Sequence, residues 1–128
     1  MHKSRLGTMI IDCQTDELEA MAKFWGQALG LVPELLSESV NPKYIRLLGD
    51  KGDVHVLLQS VDHESRIHLD IETDDRESEV SRLEQLGAKT VTLTERWTVM
   101  EAPSGHRFCI IGPIRDGFES NANCWEKV

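Results

Sequence analysis

Hydrophobic and polar positions repeat one order of signals twice along this chain. Residues 6–14 alternate, with Met9, Ile11 and Cys13 on one side and Thr8, Ile10, Asp12 and Gln14 on the other, which is the period of a strand. Helical spacing follows: Leu18, Met21, Ala22, Trp25, Ala28 and Leu29 recur every three or four residues and form one buried stripe. Asp16 and Glu19 make a capping-box pair ahead of it, and Gly30 stands where a left-handed cap belongs. Three strand-like segments come next, at 31–40 (an edge, since Pro33 interrupts it), Tyr44–Leu48 and 54–61. Gly49-Asp50-Lys51-Gly52-Asp53 joins the last two as a hairpin.

After the polar connector Asp62-His63-Glu64-Ser65 the order restarts. Arg66–Thr73 alternates cleanly, with Ile67, Leu69 and Ile71 as an apolar face fit to cover helices and Arg66, His68, Asp70 and Glu72 opposite. Asp74 with Glu77 repeats the helix-start signal, Val80, Leu83 and Leu86 are expected to point inward, and Gly87 ends the helix. Strands are predicted at 88–93, 97–102 and Arg107–Ile111, with Pro103-Ser104-Gly105 turning the last pair. Strand, helix and three strands, twice over, predict an α+β fold of two βαβββ modules. Module one spans about 6–61 and module two about 66–112, within a single domain covering 1–128. The tail 113–128 is polar apart from Phe118 and Trp125, and either drapes over the domain or hangs loose.

Length and composition allow an ordinary soluble core without staples: 128 residues, 40% hydrophobic and 28% charged. Twenty-two acidic residues against 14 basic ones give a net charge of −8, the wrong field for nucleic acid or an anionic membrane. Cys13, Cys109 and Cys124 are odd in number and unpatterned, as free thiols of a reducing compartment are. The short apolar run ending at Asp12 is too brief for a signal-peptide core or a membrane span, so the expected location is cytoplasmic. No phosphate loop, nucleophilic-serine elbow or paired-cysteine zinc motif is present.

Three segments carry a family likeness. They are Leu6-Gly7-Thr8-Met9-Ile10-Ile11-Asp12-Cys13 running into a helix that ends Phe24-Trp25 and Ala28-Leu29-Gly30; Ile67-His68-Leu69-Asp70-Ile71; and Leu86-Gly87-Ala88, Trp97 and Ala102-Pro103-Ser104-Gly105-His106-Arg107-Phe108-Cys109. Over residues 6–112 the chain resembles the vicinal-oxygen-chelate superfamily, and within it the small glyoxalase-like and bleomycin-resistance-like proteins. The resemblance implies two curled mixed sheets around a shared cavity. In the metal-dependent members it implies a divalent ion (Mn, Fe, Ni or Mg) held by His, Gln or Glu from the first and last strands of each half, so that for this chain a divalent metal (Mn, Fe, Ni or Zn) is the alternative to no cofactor. Small members usually pair, so a homodimer is expected.

Carried over position by position, His68 falls on the histidine of the second half's first strand. Thr8 or Ile10 stands at the matching place in the first half, and neither is a competent ligand. Cys109 replaces the usual glutamate of the last strand, and the first half offers only His55 and Gln59. The usual metal site is thus dismantled, and no cofactor is expected. A non-standard site would draw on His68, Gln59 or Cys109. The expected function is binding of a small organic molecule in the cavity, with His68 as ligand contact or proton-transfer group held by Asp70 or Glu72. The alternative is a lyase- or dioxygenase-type enzyme using His68 with substitute ligands. Asp12 and Asp70 occupy matching positions and would make the cavity acidic, unless they are simply solvated. Trp97 is either a flat wall for a ring-bearing ligand or plain packing. Cys109 is either a soft ligand across from His68 or a small hydrophobe, and His55 lines the cavity or faces solvent.

Overall fold

The structure, a computed structural model, describes residues 1–35, 42–50 and 52–126. Its elements are β1 (His2–Cys13), α1 (Leu18–Leu29), β2 (Val32–Pro33), β3 (Tyr44–Leu48), β4 (His55–Ser60), β5 (Arg66–Thr73), α2 (Arg76–Gln85), β6 (Lys89–Leu93), β7 (Thr98–Glu101), β8 (Arg107–Ile111), α3 (Phe118–Asn121) and β9 (Asn123–Trp125). The architecture is α+β, and strand, helix and three strands do occur twice in succession. No described helix is long and apolar enough to cross a membrane. Contacts divide the chain into two compact units, Met9–Ile67 and Met1–Thr8 with His68–Val128, so that β1 contributes to both.

In the unit Met9–Ile67 the strand order is β2-β3-β4-β1. β3 and β4 pair antiparallel with Ile45 opposite Leu58 and Leu47 opposite Val56. These four residues, Ile11 and Cys13 face Leu18 and Ala22 of α1, with Met21, Trp25 and Leu31 packed around them. A Cβ on Gly26 would come 2.9 Å from the Leu31 carbonyl oxygen, so only glycine lets α1 sit this close to the chain that follows it. Gly30 caps the helix at φ 72° as expected, whereas Leu29 of the predicted stripe is 48% exposed. The expected Asp16 cap is not formed: Glu17 occupies the cap position without a side-chain bond, its N–H held by Thr15 Oγ1. Only Val32–Pro33 of the predicted 31–40 strand is observed; 36–41, and Lys51 of the hairpin, lie outside the described residues.

In the other unit β5 lies between β1 and β8, followed by β7 and β6. β5 and β8 run parallel, β8 and β7 antiparallel. Leu83 of α2 packs on Met100 and Ile110, with Ile71, Val80, Ala88 and Phe108 around them. Two expectations need correction here. Of the apolar face of β5 only Ile71 joins this core; Leu69 is 45% exposed, as is Ile67 (52%) in its own unit. Leu86 is 66% exposed because the helix closes at Gln85 and Leu86 is its C-cap. Asp75, not Asp74, caps α2 by accepting from the Ser78 N–H, while Asp74 accepts from the Lys3 N–H. The tail drapes: Phe118 is buried, β9 pairs antiparallel with β1, and the Trp125 indole N–H donates to Ser4 Oγ.

Candidate functional site

The polar face of β5 is positioned by strand alternation and by the parallel ladder with β8. Ile71 and Thr73 point toward α2, so His68, Asp70 and Glu72 point away from it. The register sets Asp70 opposite Cys109 and Glu72 opposite Ile111. On the next strand Val99 lies opposite Cys109 and Glu101 opposite Arg107. Because Thr98 and Met100 are buried on the helix side, alternation puts Val99, Glu101 and the 42%-exposed Trp97 on the same face as Cys109. That face holds an imidazole, a carboxylate and a thiol in its middle, an Arg107–Glu101 ion pair (3.2 Å) on one side and an indole on the other.

His68 Nε2 lies 3.6 Å from Asp70 Oδ1. One donor atom each from His68, Asp70 and Cys109 lie within 4.8 Å of one another, and all three side chains are half-buried. Glu72, two residues further along, is fully buried and serves differently. It accepts from Arg5 Nε (2.6 Å) and from the backbone N–H groups of Ile114 (2.6 Å) and Arg115 (3.1 Å). It pins the tail onto the sheet and does not orient the imidazole; Asp70 is the carboxylate beside His68. A Cβ on Gly7 would meet Glu72 Cβ and Cγ at 3.1 Å, so glycine makes room for this buried carboxylate.

Asp12, His55 and Gln59 belong to the unit Met9–Ile67. Asp12 is 2% exposed with Arg66 Nε 3.8 Å from its Oδ2. His55, Leu57 and Gln59 point away from α1, since Val56 and Leu58 are in its core. His55 Nε2 accepts from Arg46 Nη2 (3.1 Å), which occupies the lone pair that a metal would need. Gln59 stands opposite Tyr44. Of the two aspartates expected to make the lining acidic, Asp12 faces Arg66; Glu72, a further carboxylate, faces Arg5 and Arg115. Sequence put Val99 and Glu101 on the face of Trp97 but gave Arg107 no role; their place beside His68 and Cys109 follows from the parallel register of β5 on β8 and the antiparallel register of β7 on β8.

The arrangement is that of known folds. A hypothetical protein, BH1468, from Bacillus halodurans C-125 aligns at TM-score 0.58 and 11% identity over 87% of this chain and 95% of that one. The Mn(II)-bound glyoxalase from Novosphingobium aromaticivorans aligns at 0.57 and 20% over 91% of this chain and 43% of that one. Methylmalonyl-CoA epimerase from Mycobacterium tuberculosis aligns at 0.56 and 15% over 85% and 87%. The class is therefore the vicinal-oxygen-chelate fold. A family model described as glyoxalase-like domain matches residues 8–111, and the chain belongs to that family. No curated protein matches it at a significant level.

The fold family implies a divalent ion, and the donor set can be tested against it. A manganese-class ion wants six ligands dominated by oxygen. Here the last-strand carboxylate is replaced by the Cys109 thiol, and a lone carboxylate, Asp70, completes the cluster with His68. The set does not fit a hard octahedral ion. It fits a borderline-soft tetrahedral one.

Proposed function

We propose that this protein binds a small organic molecule on the sheet face floored by His68, Asp70 and Cys109. The observation that supports it is the half-buried imidazole–carboxylate–thiol cluster bordered by exposed Trp97. The imidazole can donate or accept at Nε2 beside the Asp70 carboxylate, and the indole offers a flat apolar wall to a ring. A polar, ring-bearing molecule matches this face. No catalytic step is needed, as in a sequestering protein of the bleomycin-resistance kind.

The test is a thermal-shift screen against such compounds, repeated on two variants. A ligand at about 100 times its Kd stabilises by about 2.7 kcal/mol. His68→Ala is expected to abolish most of that stabilisation and His55→Ala to keep it. Full retention in His68→Ala, or no response of the wild type to any compound, overturns the reading.

The three converging donors support a second reading, a metal-dependent enzyme of lyase or dioxygenase type. There His68, Asp70 and Cys109 would hold the ion, which supplies Lewis-acid polarisation of a substrate oxygen. His68 and Asp70 would then be committed to the ion, leaving Trp97, Val99 and Arg107 to orient the substrate. Elemental analysis after purification with added Mn, Ni, Fe and Zn separates the two readings: a near-stoichiometric, chelator-sensitive ion lost in His68→Ala supports the enzyme.

We also place the protein in the cytoplasm, a reducing compartment that suits the odd, unpatterned set Cys13, Cys109 and Cys124. It is read as a homodimer. β6 ends the strand order, all five of its residues are exposed, and Val91 (42%) and Leu93 (72%) are apolar, which makes it an edge in need of cover. Light scattering is expected to give twice the chain mass for the wild type and the monomer mass for Leu93→Lys. A monomeric wild type rejects the dimer.

A further inference from the structure

We propose that the face of β3 and β4 turned away from α1 binds a small aromatic oxyanion, its ring on Tyr44 and its carboxylate or phosphate in the fork of Arg46. The site lies wholly within the unit Met9–Ile67 and is separate from the β5–β8 face, so neither reading depends on the other.

Strand alternation builds the face. Ile45, Leu47, Val56 and Leu58 are committed to the α1 core, so Tyr44, Arg46, His55, Leu57 and Gln59 share the opposite side. The antiparallel register sets Tyr44 against Gln59 and Arg46 against Leu57. Side chains opposed in this way stand about 4.5–5.5 Å apart at Cβ, so phenol, guanidinium and amide lie within reach of one small molecule. β3 lies between β2 and β4, and β4 between β3 and β1. Ladder hydrogen bonds on both sides therefore hold the backbone under these residues, and the site stands on strands rather than on a loop. Tyr44 is 53% exposed and Arg46 is exposed, while Leu57 beside them is half-buried and apolar.

Charge identifies the ligand class. The chain carries 22 acidic residues against 14 basic ones, so a surface cation has carboxylates in plenty to pair with. Arg46 instead donates from Nη2 to His55 Nε2 at 3.1 Å, and among the described residues its guanidinium makes no ion pair. Glu34 is its neighbour on β2, where the Glu34 N–H donates to the Arg46 carbonyl, yet the two side chains form no ion pair. Lys43 adds a second cation, its Nζ 5.9 Å from the Tyr44 ring centroid. Two cations beside an exposed ring favour a ligand that is both flat and anionic. A guanidinium presents five N–H donors in a planar fork; one is spent on His55, and the others match two oxygens of a carboxylate or phosphate. His55 is a positioning residue here, since it acts by accepting from Nη2 and so fixing the fork.

Tyr44 is the sole tyrosine of the chain, so isotopic labelling of the tyrosine ring gives the full-length protein one NMR signal that reports this face. Phenyl phosphate and benzoate are expected to shift that signal saturably, and benzylamine is expected to leave it in place. Either order of affinity between the two anions supports the site and identifies its oxyanion. Inorganic phosphate should bind about 3- to 10-fold more weakly than phenyl phosphate for want of a ring. Arg46→Ala should weaken phenyl phosphate binding by about 10–100-fold. Arg46→Lys should recover only part of that, because an ammonium lacks the fork. His55→Leu should weaken binding and His55→Gln, which keeps an acceptor, should restore it; His68→Ala should match the wild type. Ligand-free melting temperatures equal to wild type show that the variants fold, and Arg46→Gln carries the same test if Arg46→Ala does not fold. A signal unmoved by both anions, undiminished affinity in Arg46→Ala, or an equal response to benzylamine overturns the proposal. A ligand-free signal that shifts with protein concentration also overturns it, by assigning the face to a second copy of the chain. A compound that stabilises the protein through His68 without moving the tyrosine signal belongs to the β5–β8 face, so the two readings fail separately.

Discussion

Replacing Glu72 by alanine is expected to destabilise the protein by about 3–5 kcal/mol, the loss typical of removing one partner of a buried ion pair. Glu72 is 0% exposed and satisfies Arg5 Nε and the Ile114 and Arg115 amides, while Arg115 Nε lies 3.6 Å away. Alanine would take the carboxylate from the Arg5 guanidinium, whose side chain is 7% exposed and lies 5.6 Å from the Phe118 ring centroid, and leave that charge with the Arg115 and Asp116 carbonyls. The Ile114 and Arg115 amides would lose their acceptor at the same time. Urea unfolding should show the loss as a lower midpoint, and limited proteolysis should show cleavage near 113–117, where the carboxylate holds the tail. An apolar pair, Arg5→Met with Glu72→Leu, should recover much of the stability, since the penalty comes from the uncompensated charge. A single-variant loss below about 1 kcal/mol would contradict the clamp.

Glu79 governs the second expected result, acid sensitivity. It is 0% exposed and accepts from His2 Nε2 (2.8 Å) and from Arg82 Nε and Nη2 (2.8 and 2.9 Å). Burial alone would raise its pKa, but the hydrogen bonds from Arg82, His2 and Ser4, together with the Arg82 charge, prevail and hold it below the usual carboxylate range. A carboxyl whose pKa is lower folded than unfolded contributes stability above the unfolded value, near 4.3, and loses it as pH falls through the folded value. Wild-type stability should therefore drop below about pH 4.3. Glu79→Gln should flatten that dependence and cost about 3 kcal/mol at neutral pH. Arg82 also stacks on Trp125 at 4.0 Å, so the variant should loosen β9 as well. Identical acid slopes in the two proteins would remove Glu79 as the cause. Chemical denaturation from pH 3 to 7 makes the comparison.

Much of the fold was legible because the signals that carry it are local. Period-two alternation located β5 and β8 to the residue, helical spacing found α1 and α2, and Gly30 and Gly105 marked turns at φ 72° and 89°. Both helix starts were misjudged by one residue. A carboxylate three positions before a glutamate is a statistical signal, and tertiary contacts reassigned it, as when the Lys3 amide took Asp74. Leu69 and Leu86 followed the apolar pattern yet remain exposed, because alternation says which residues share a face, not what covers it.

The candidate site divides the same way. Sequence alone determined that His68, Asp70 and Glu72 share a strand face, that Cys109 sits on the last strand of the second repeat, and that the expected glutamate is missing there. Only the tertiary structure decided that Asp70 and Cys109 lie across one ladder, that Glu72 is a clamp under the tail, and that Arg46 engages His55. The physical reason is range. Side-chain direction is set by backbone geometry within two or four residues, whereas the register of β5 on β8 joins positions 39 apart, and only the packing of the whole chain selects it.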